Sequence, residues 1–335
     1  MLISILVPEY NATKYIDRNL KSLLNQTYKD IEIILYDDAS KDNTREKMCK
    51  YSENYPNIIY SYWSDKNGGI GYAKNQALSH ANGEYVFFCD CDDYIKPNTI
   101  ECMVESAVKN NYPDIVVDGF TRSDDRGNIL YVRKYKDENE ALQQSIPLFA
   151  KLFKREFLNK NKIKSPTGVI LEDVLYLSAT IPNKPSVSFV SNCGYVWIKN
   201  LTSASNTQLS KFGEHTLDNS FEYLKMVKNN MDSETKTEDI TYYALQFVCW
   251  HLLKTGTGIE WNEMKNEYTK AFKYLDELFP TYKSYKNISA FKPKGVRLIV
   301  RLVVFIIILV KKFHMEKLFF FLYSKLNMGR FWPNL

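Results

Sequence analysis

No Cys-x-x-Cys pair occurs in the 335 residues, although six cysteines are present, at 49, 89, 91, 102, 193 and 249. A closed zinc site usually draws its four ligands from two such pairs, so neither structural zinc nor a disulfide framework is expected. Cys89 and Cys91 stand in Tyr85–Pro97, YVFFCDCDDYIKP, and read with the others as reduced, mostly buried thiols. The four histidines, at 80, 215, 251 and 314, include no pair at metal spacing, and His251 in FVCWHLL reads as a core residue. Neither G-x-G-x-x-G nor G-x-x-x-x-G-K-[S/T] is present, which removes the dinucleotide fingerprint and the P-loop. Internal repeats and low-complexity segments are absent too. Met1 to Val7, MLISILV, is too short and too uncharged for a signal peptide, so the N-terminal domain is expected in the cytoplasm. Long apolar runs are also missing. Leu302 to Val310 is uncharged over nine residues, where about 20 are needed to cross a bilayer.

Acids are scarce at one end only. From Phe291 to Leu335 nine Lys or Arg face a single acid, Glu316, so this segment carries +8 and the rest of the chain −3. The basicity belongs to the tail and not to the body, and no nucleic-acid partner is expected. Arg297, Arg301, Lys311 and Lys312 bracket the apolar stretch. A basic, aromatic, amphipathic segment of this kind suits the headgroup region of an anionic leaflet.

The first ~120 residues alternate two patterns. LISILV (2–7), IEIILY (31–36), IIYSYW (58–63), YVFFC (85–89) and DIVVDGF (114–120) read as strands. Helical patterns lie between them, such as Ile16, Leu20, Leu23 and Leu24 on one face, with Asn11 or Thr13 available as a cap. The alternation predicts an α/β fold, a mostly parallel central sheet with helices on both faces. IPLFAKLFKREFL (146–158) reads as an apolar helix, VSFV and GYVWI as two further strands, and residues 208–290 as helical and Tyr-rich. The aromatics at 60, 62, 63 and 197 read as core.

The first strand runs into PEYN, the second into Asp37-Asp38-Ala39-Ser40, and the fourth into Asp90-Cys91-Asp92-Asp93. In parallel strands these polar groups gather at the carboxyl edge of the sheet, where open α/β sheets bind ligands. Several carboxylates there would repel one another unless a hard divalent cation, Mg²⁺ or Mn²⁺, neutralised them together with substrate phosphates. Asp90 and Asp92, two apart on an extended chain, point the same way, whereas Asp93 points away and is expected to cap the turn before Pro97 and the helix beyond it. Asn67-Gly68-Gly69-Ile70-Gly71 opens a helix with Lys74 one turn in, a weak diphosphate signal by itself.

SILVPEYNATKYIDRNLKSLLNQTYKDIEIILYDDASKDNT resembles the opening of the family 2 glycosyltransferases. NGGIGYAKNQAL resembles that family's Asn-x-Gly-x-x-x-Ala-Arg-Asn segment, and CDCDD its Asp-x-Asp motif. AKLFKREFL followed by GVILEDVLYL resembles its acceptor-side segment, and the likeness covers about residues 1–200 in order. It implies a GT-A fold, Rossmann-like, with a C-terminal helical region. It also implies that Pro8 and Tyr10 line a uracil pocket and that Asp38 accepts from the base. Asn67 and Lys74 are placed near base and diphosphate, Asp90 by the ribose and metal, and Asp92 on the metal, Mn²⁺ or Mg²⁺. Asp173, of the pair Glu172-Asp173, becomes the general base. Three departures stand out. Glu9 replaces a commoner apolar residue and is expected to acidify the pocket rim, Lys74 replaces Arg, and Ile170-Leu171 precede the acidic pair.

The expected domains are a GT-A catalytic domain (1–207), a helical region for acceptor or homo-oligomer contacts (208–290), and a basic membrane-associated tail (291–335). The expected activity is an inverting, metal-dependent transfer from a UDP-sugar donor to a glycan or lipid-linked acceptor, at the cytoplasmic face of the membrane. A non-catalytic partner subunit with the same fold is the alternative. A sugar nucleotidyltransferase is disfavoured, because PEYNATKY lacks the Gly-rich basic loop after the first strand.

Overall fold

The computed structural model describes all residues except 145, 170–171, 201–215, 232–233, 256–258, 285–288, 290, 292, 295 and 326–335, and no side chains for 234–239, 254–255 and 284. The chain forms two compact units, Met1–Gly168 with Lys184–Leu201, and Val169–Asn183 with Thr202–Leu335. The expected boundary at 207 falls outside the described residues.

The first unit is built on one nine-stranded sheet. In chain order its elements are β1 (Ile3–Glu9), α1 (Ile16–Leu24), β2 (Ile31–Asp37), α2 (Thr44–Asn54) and β3 (Ile59–Trp63). There follow α3 (Ile70–Ser79), β4 (Tyr85–Phe88), β5 (Tyr94–Ile95), α4 (Thr99–Lys109) and β6 (Ile115–Ser123). β7 (Ile129–Arg133), α5 (Glu138–Gln144), β8 (Lys151–Lys154), α6 (Arg155–Lys160) and β9 (Val187–Ile198) complete it. The strand order is β3-β2-β1-β4-β8-β6-β9-β5, with β7 beside β6. The pairs β3·β2, β2·β1 and β1·β4 are parallel. Beyond β4 the sheet is mixed, since β8 runs antiparallel to both β4 and β6 while β9 is parallel to β6. Two reversals restore direction, so β6 ends at the same edge as β1, β2 and β4.

Strand alternation explains how the sheet is covered. Ile3, Ile5 and Val7 share one face with Ile31, Ile33 and Leu35, and pack against Ile16, Leu20 and Leu23 of α1 and Met48 of α2. On the other face α3 approaches closely, because its buried residues are small, Gly71, Ala73 and Ala77 beside Lys74. A Cβ at Gly71 would stand 1.8 Å from the carbonyl oxygen of Pro166, so the helix can sit there only with glycine.

Four readings change. Lys151–Lys154, expected within a helix, is the strand β8, and a helix begins only at Arg155. Leu152 and Phe153 are both fully buried between two neighbouring strands, and that burial outweighs helical propensity. VSFV and GYVWI form one long strand, kinked where Cys193 takes a positive φ of 52°. Asn11 caps nothing: its φ is 49°, and the residue before α1 is Tyr15, which makes no side-chain cap. The aromatics of β3 are not core, because β3 is an edge strand and leaves Trp63 48 % exposed. All six thiols are free.

The second unit is helical. It holds α7 (Glu172–Thr180), α8 (Thr216–Asn229), α9 (Glu234–Trp250), α10 (Trp261–Leu278), α11 (Leu298–Lys312) and α12 (Glu316–Lys325). His251 is buried and its Nε2 lies 2.8 Å from Glu267, in keeping with a core histidine. Among the described residues no helix is long and apolar enough to cross a membrane.

Candidate active site at the carboxyl edge of the sheet

The loops after β1 and β2 are stitched together through their motif residues. The Asn11 amide donates to Ser40 Oγ at 2.8 Å, and Asn11 Oδ1 accepts from the Lys41 amide at 2.8 Å. The Ala12 amide donates to Thr44 Oγ1 at 2.7 Å, and that of Thr13 to Asp42 at 3.2 Å. Paired across so many amides, the two loops form one rigid wall beside Pro8 and Tyr10. Tyr10 is 46 % exposed, an aromatic ring at the rim.

The adjacent acids Asp37 and Asp38 divide their work. Asp37 is fully buried, accepts from the Ser40 amide at 3.0 Å and pairs with Arg45 Nε at 3.0 Å. Asp38 turns the other way, to the Gly-rich segment. Its two carboxylate oxygens accept from the Gly68 and Gly69 amides at 2.9 and 2.7 Å, and its carbonyl accepts from Asn67 Nδ2 at 3.2 Å. Gly69 has φ +84°, a conformation that costs glycine little, and α3 starts at the next residue. Asp38 therefore locks the turn that aims the N-terminus of α3, and Lys74 is buried within that helix.

The acids after β4 separate as well. Asp90 and Asp92 are both partly exposed. Asn200 Nδ2 donates to Asp92 Oδ2 at 2.9 Å, and the Arg18 guanidinium donates to the Asp92 carbonyl. Asn19, buried in α1, holds the turn by donating to the carbonyls of Asp90 and Asp93, both at 3.1 Å. Asp93 does not cap the following helix, whose cap position is Asn98. It is fully buried, accepting from the Tyr195 hydroxyl at 2.7 Å and the Ile198 amide at 2.8 Å. Burial, then the charges of Asp92 and Asp90, push its carboxyl well above the usual range.

Glu9 also differs from its expected place at the rim. It shares the face of Ile3, Ile5 and Val7 and is 1 % exposed, and among the described residues neither carboxyl oxygen has a hydrogen-bond partner. Burial, then Asp37, Asp42 and Asp92, raise its pKa well above the ordinary value, and the Cys91 thiol beside it offsets only part of that. The edge thus holds two inward carboxyls that resist ionisation and two outward ones, Asp90 and Asp92.

One cation at this edge has no motif to announce it. Arg122 stands near the end of β6, with its guanidinium carbon 3.4 Å from the centroid of the Trp197 ring on β9. Its Nη1 is buried and lacks a partner among the described residues, and burial lowers its pKa. The visible signal was a single Arg inside a buried strand. For Asn19 it was a polar residue on the apolar face of α1. Asn200 had no signal.

Glu172 and Asp173 form the first turn of α7, in the second unit, where acids suit the helix dipole. Ile170 and Leu171 lie outside the described residues.

Among the described residues no three His, Cys, Asp or Glu side chains converge as a metal cage. Asp90 and Asp92, both partly exposed, would suit Mg²⁺ or Mn²⁺ only together with further oxygens from a diphosphate and water.

Parallel strands with polar groups at the carboxyl edge, two partly exposed aspartates and a Gly-rich turn opening a helix fit the GT-A fold. The sequence profile described as Glycosyl transferase family 2 matches residues 4–171, half of the chain, and the chain belongs to that family. It is 28 % identical over 319 residues to a cholesterol galactosyltransferase of Borreliella burgdorferi, covering 87 % of this chain and 85 % of the relative. It is 31 % identical over 205 residues to a poly(ribitol-phosphate) beta-glucosyltransferase of Bacillus spizizenii, covering 59 % of this chain and 32 % of that protein. The crystal structure of S. aureus TarS 1–349 in complex with UDP-GlcNAc superposes with a TM-score of 0.67 at 20 % identity, covering 90 % and 88 % of the two chains.

Proposed function

We propose that this glycosyltransferase moves a sugar from a UDP-sugar to a hydroxyl of a glycan or lipid-linked acceptor, in one displacement that inverts the anomeric centre. The observation that carries the reading is the separation of acids at the sheet edge. Glu9 and Asp93 are buried, while Asp90 and Asp92 stay partly exposed at the end of β4. The names of the two relatives, one acting on cholesterol and one on poly(ribitol-phosphate), support an acceptor at the cell envelope.

Pro8, Tyr10 and Asn67 would line the base, and Asp38, buried and already accepting from two glycine amides and the Ser64 hydroxyl, has one lone pair left for the uracil N–H. Asp90 and Asp92 would hold Mn²⁺ or Mg²⁺, which when bound offsets the negative charge growing on the departing UDP. Lys74 and Arg122 add positive charge on the protein side, Arg122 with a nitrogen already stripped of water. Asp173 takes the proton of the acceptor hydroxyl as it attacks. Asp93, anchored by Tyr195 and Ile198, fixes the turn that presents Asp92.

The chain acts at the cytoplasmic face of the membrane, held peripherally by its basic tail, residues 291–335. Screening UDP-Glc, UDP-GlcNAc, UDP-Gal and UDP-GalNAc for release of UDP with Mn²⁺ tests the donor reading. Release from one of them that stops on chelation is the expected result, and no release from any would overturn it.

A further inference from the structure

α11 has two apolar faces where a surface helix ordinarily has one. Val300, Val304, Ile307 and Ile308 are buried within the second unit. Ile299, Leu302, Ile306, Leu309 and Phe313 recur at spacings of three and four, so they form a straight second stripe, and none of them is buried. Ile306 is 46 % exposed and Phe313 64 %. Past the turn Met315 is exposed, and α12 adds exposed Leu318, Phe321 and Leu322, the Phe321 ring lying edge-on to Trp261 at 5.3 Å. Lys312, Lys317 and Lys325 are exposed around this surface. The only acid between 297 and 325, Glu316, is partly buried and paired with Lys311 at 3.2 Å. The exposed surface of α11 and α12 therefore offers apolar side chains rimmed by cations and no exposed carboxylate.

We propose that this outer face of α11 and α12 is the part of the chain that enters an anionic lipid surface, with the stripe at acyl depth and Lys312, Lys317 and Lys325 at the phosphates. Charge decides the occupant. A second copy meeting the same stripe would bring like lysines together, whereas anionic headgroups complement them. The helices are too short and too cationic to span, so they lie in the plane of the interface. The inference rests on the reading of the tail as membrane-associated and assigns that association to particular side chains.

The test is flotation of the full chain with vesicles of phosphatidylcholine alone and of phosphatidylcholine with phosphatidylglycerol. Wild-type protein is expected to float with the anionic vesicles only. The exposed pair Ile306→Glu with Phe313→Glu is expected to lose about a hundredfold in partitioning, since binding scales with inserted apolar area. Lys312→Gln with Lys317→Gln is expected to lose roughly thirtyfold, with unchanged thermal melting in both variants. If wild-type protein floats with neither vesicle, the membrane reading of the tail falls and this inference with it. If wild-type and stripe variants float equally, the tail reading stands and this face is the wrong one. A concentration-dependent dimer that Ile306→Glu dissolves, without lipid binding, would make the stripe a self-association surface and overturn the proposal.

Discussion

The carboxyl edge of the sheet and the outer face of α11 and α12 depart from ordinary burial in opposite directions. The edge buries acids, with Glu9 and Asp93 almost fully enclosed, while the helical face exposes Phe313 and Leu318 beside lysines. An unpartnered buried carboxyl costs stability, and so does exposed apolar area. At the edge the cost is offset for Asp93 by the Tyr195 hydroxyl and the Ile198 amide, and on the helical face the proposed anionic interface would cover the exposed apolar side chains. What sets them apart is precision. The edge is fixed by short hydrogen bonds from backbone amides, whereas the helical face needs only side-chain spacing and sign of charge.

The comparison breaks most sharply at Asp92. Asp92→Asn should cut metal-dependent UDP release at least about a hundredfold, because charge stabilisation of the leaving group is worth several kcal/mol. Equal rates in wild type and variant would show that the outward acids are not the functional ones. Asp173→Asn should lower transfer by about 10²–10⁴-fold while donor binding, read by calorimetry with a UDP-sugar, stays intact. Lost donor binding would count against its role as base. Arg122→Gln should lower kcat/KM about tenfold to a hundredfold with little change in melting temperature, the loss expected for one charge-assisted hydrogen bond.

Smaller effects sharpen the division among the acids. Asp93→Asn swaps one of two accepting oxygens for a donor and should cost about 1–3 kcal/mol in chemical denaturation, with the Mn²⁺ half-saturation unchanged. A raised Mn²⁺ requirement would place Asp93 on the metal side after all. Asp118, buried under the amides of Cys193 and Gly194 at 2.9 and 3.0 Å, has its pKa raised to about 6 by burial. The native state therefore holds this proton more tightly than the unfolded chain. Stability contributed by the neutral carboxyl is full below about pH 4 and is lost as pH rises to about 6, by roughly 3 kcal/mol. Glu9 and Asp93, raised as well, carry the same trend upward. Asp118→Asn should flatten the slope in that window.

The strands and the edge cluster were legible because each rests on local pattern. β-branched and aromatic runs mark β1 to β4, and the polar segment PEYN at the end of β1 and the Asp-rich ones after β2 and β4 mark one edge. β8 was not legible. Lys151-Leu152-Phe153-Lys154 reads like its helical flanks, and only the space between β4 and β6 makes it a strand. Asp93 and Glu9 failed for a related reason. Sequence spacing gives the side of the strand on which a carboxyl stands, and says nothing of Tyr195, more than a hundred residues away, or of what closes over Glu9.

By itself the sequence determined the class of the protein, the edge at which its chemistry gathers, and the cationic, aromatic tail, because motifs, periodicity and charge are one-dimensional facts. Tertiary structure alone decided which acids stay exposed, that Asp38 anchors the turn before α3, that Arg122 lies over the Trp197 ring, and which stripe of α11 is exposed among the described residues. Those depend on burial, and burial is set by residues distant along the chain.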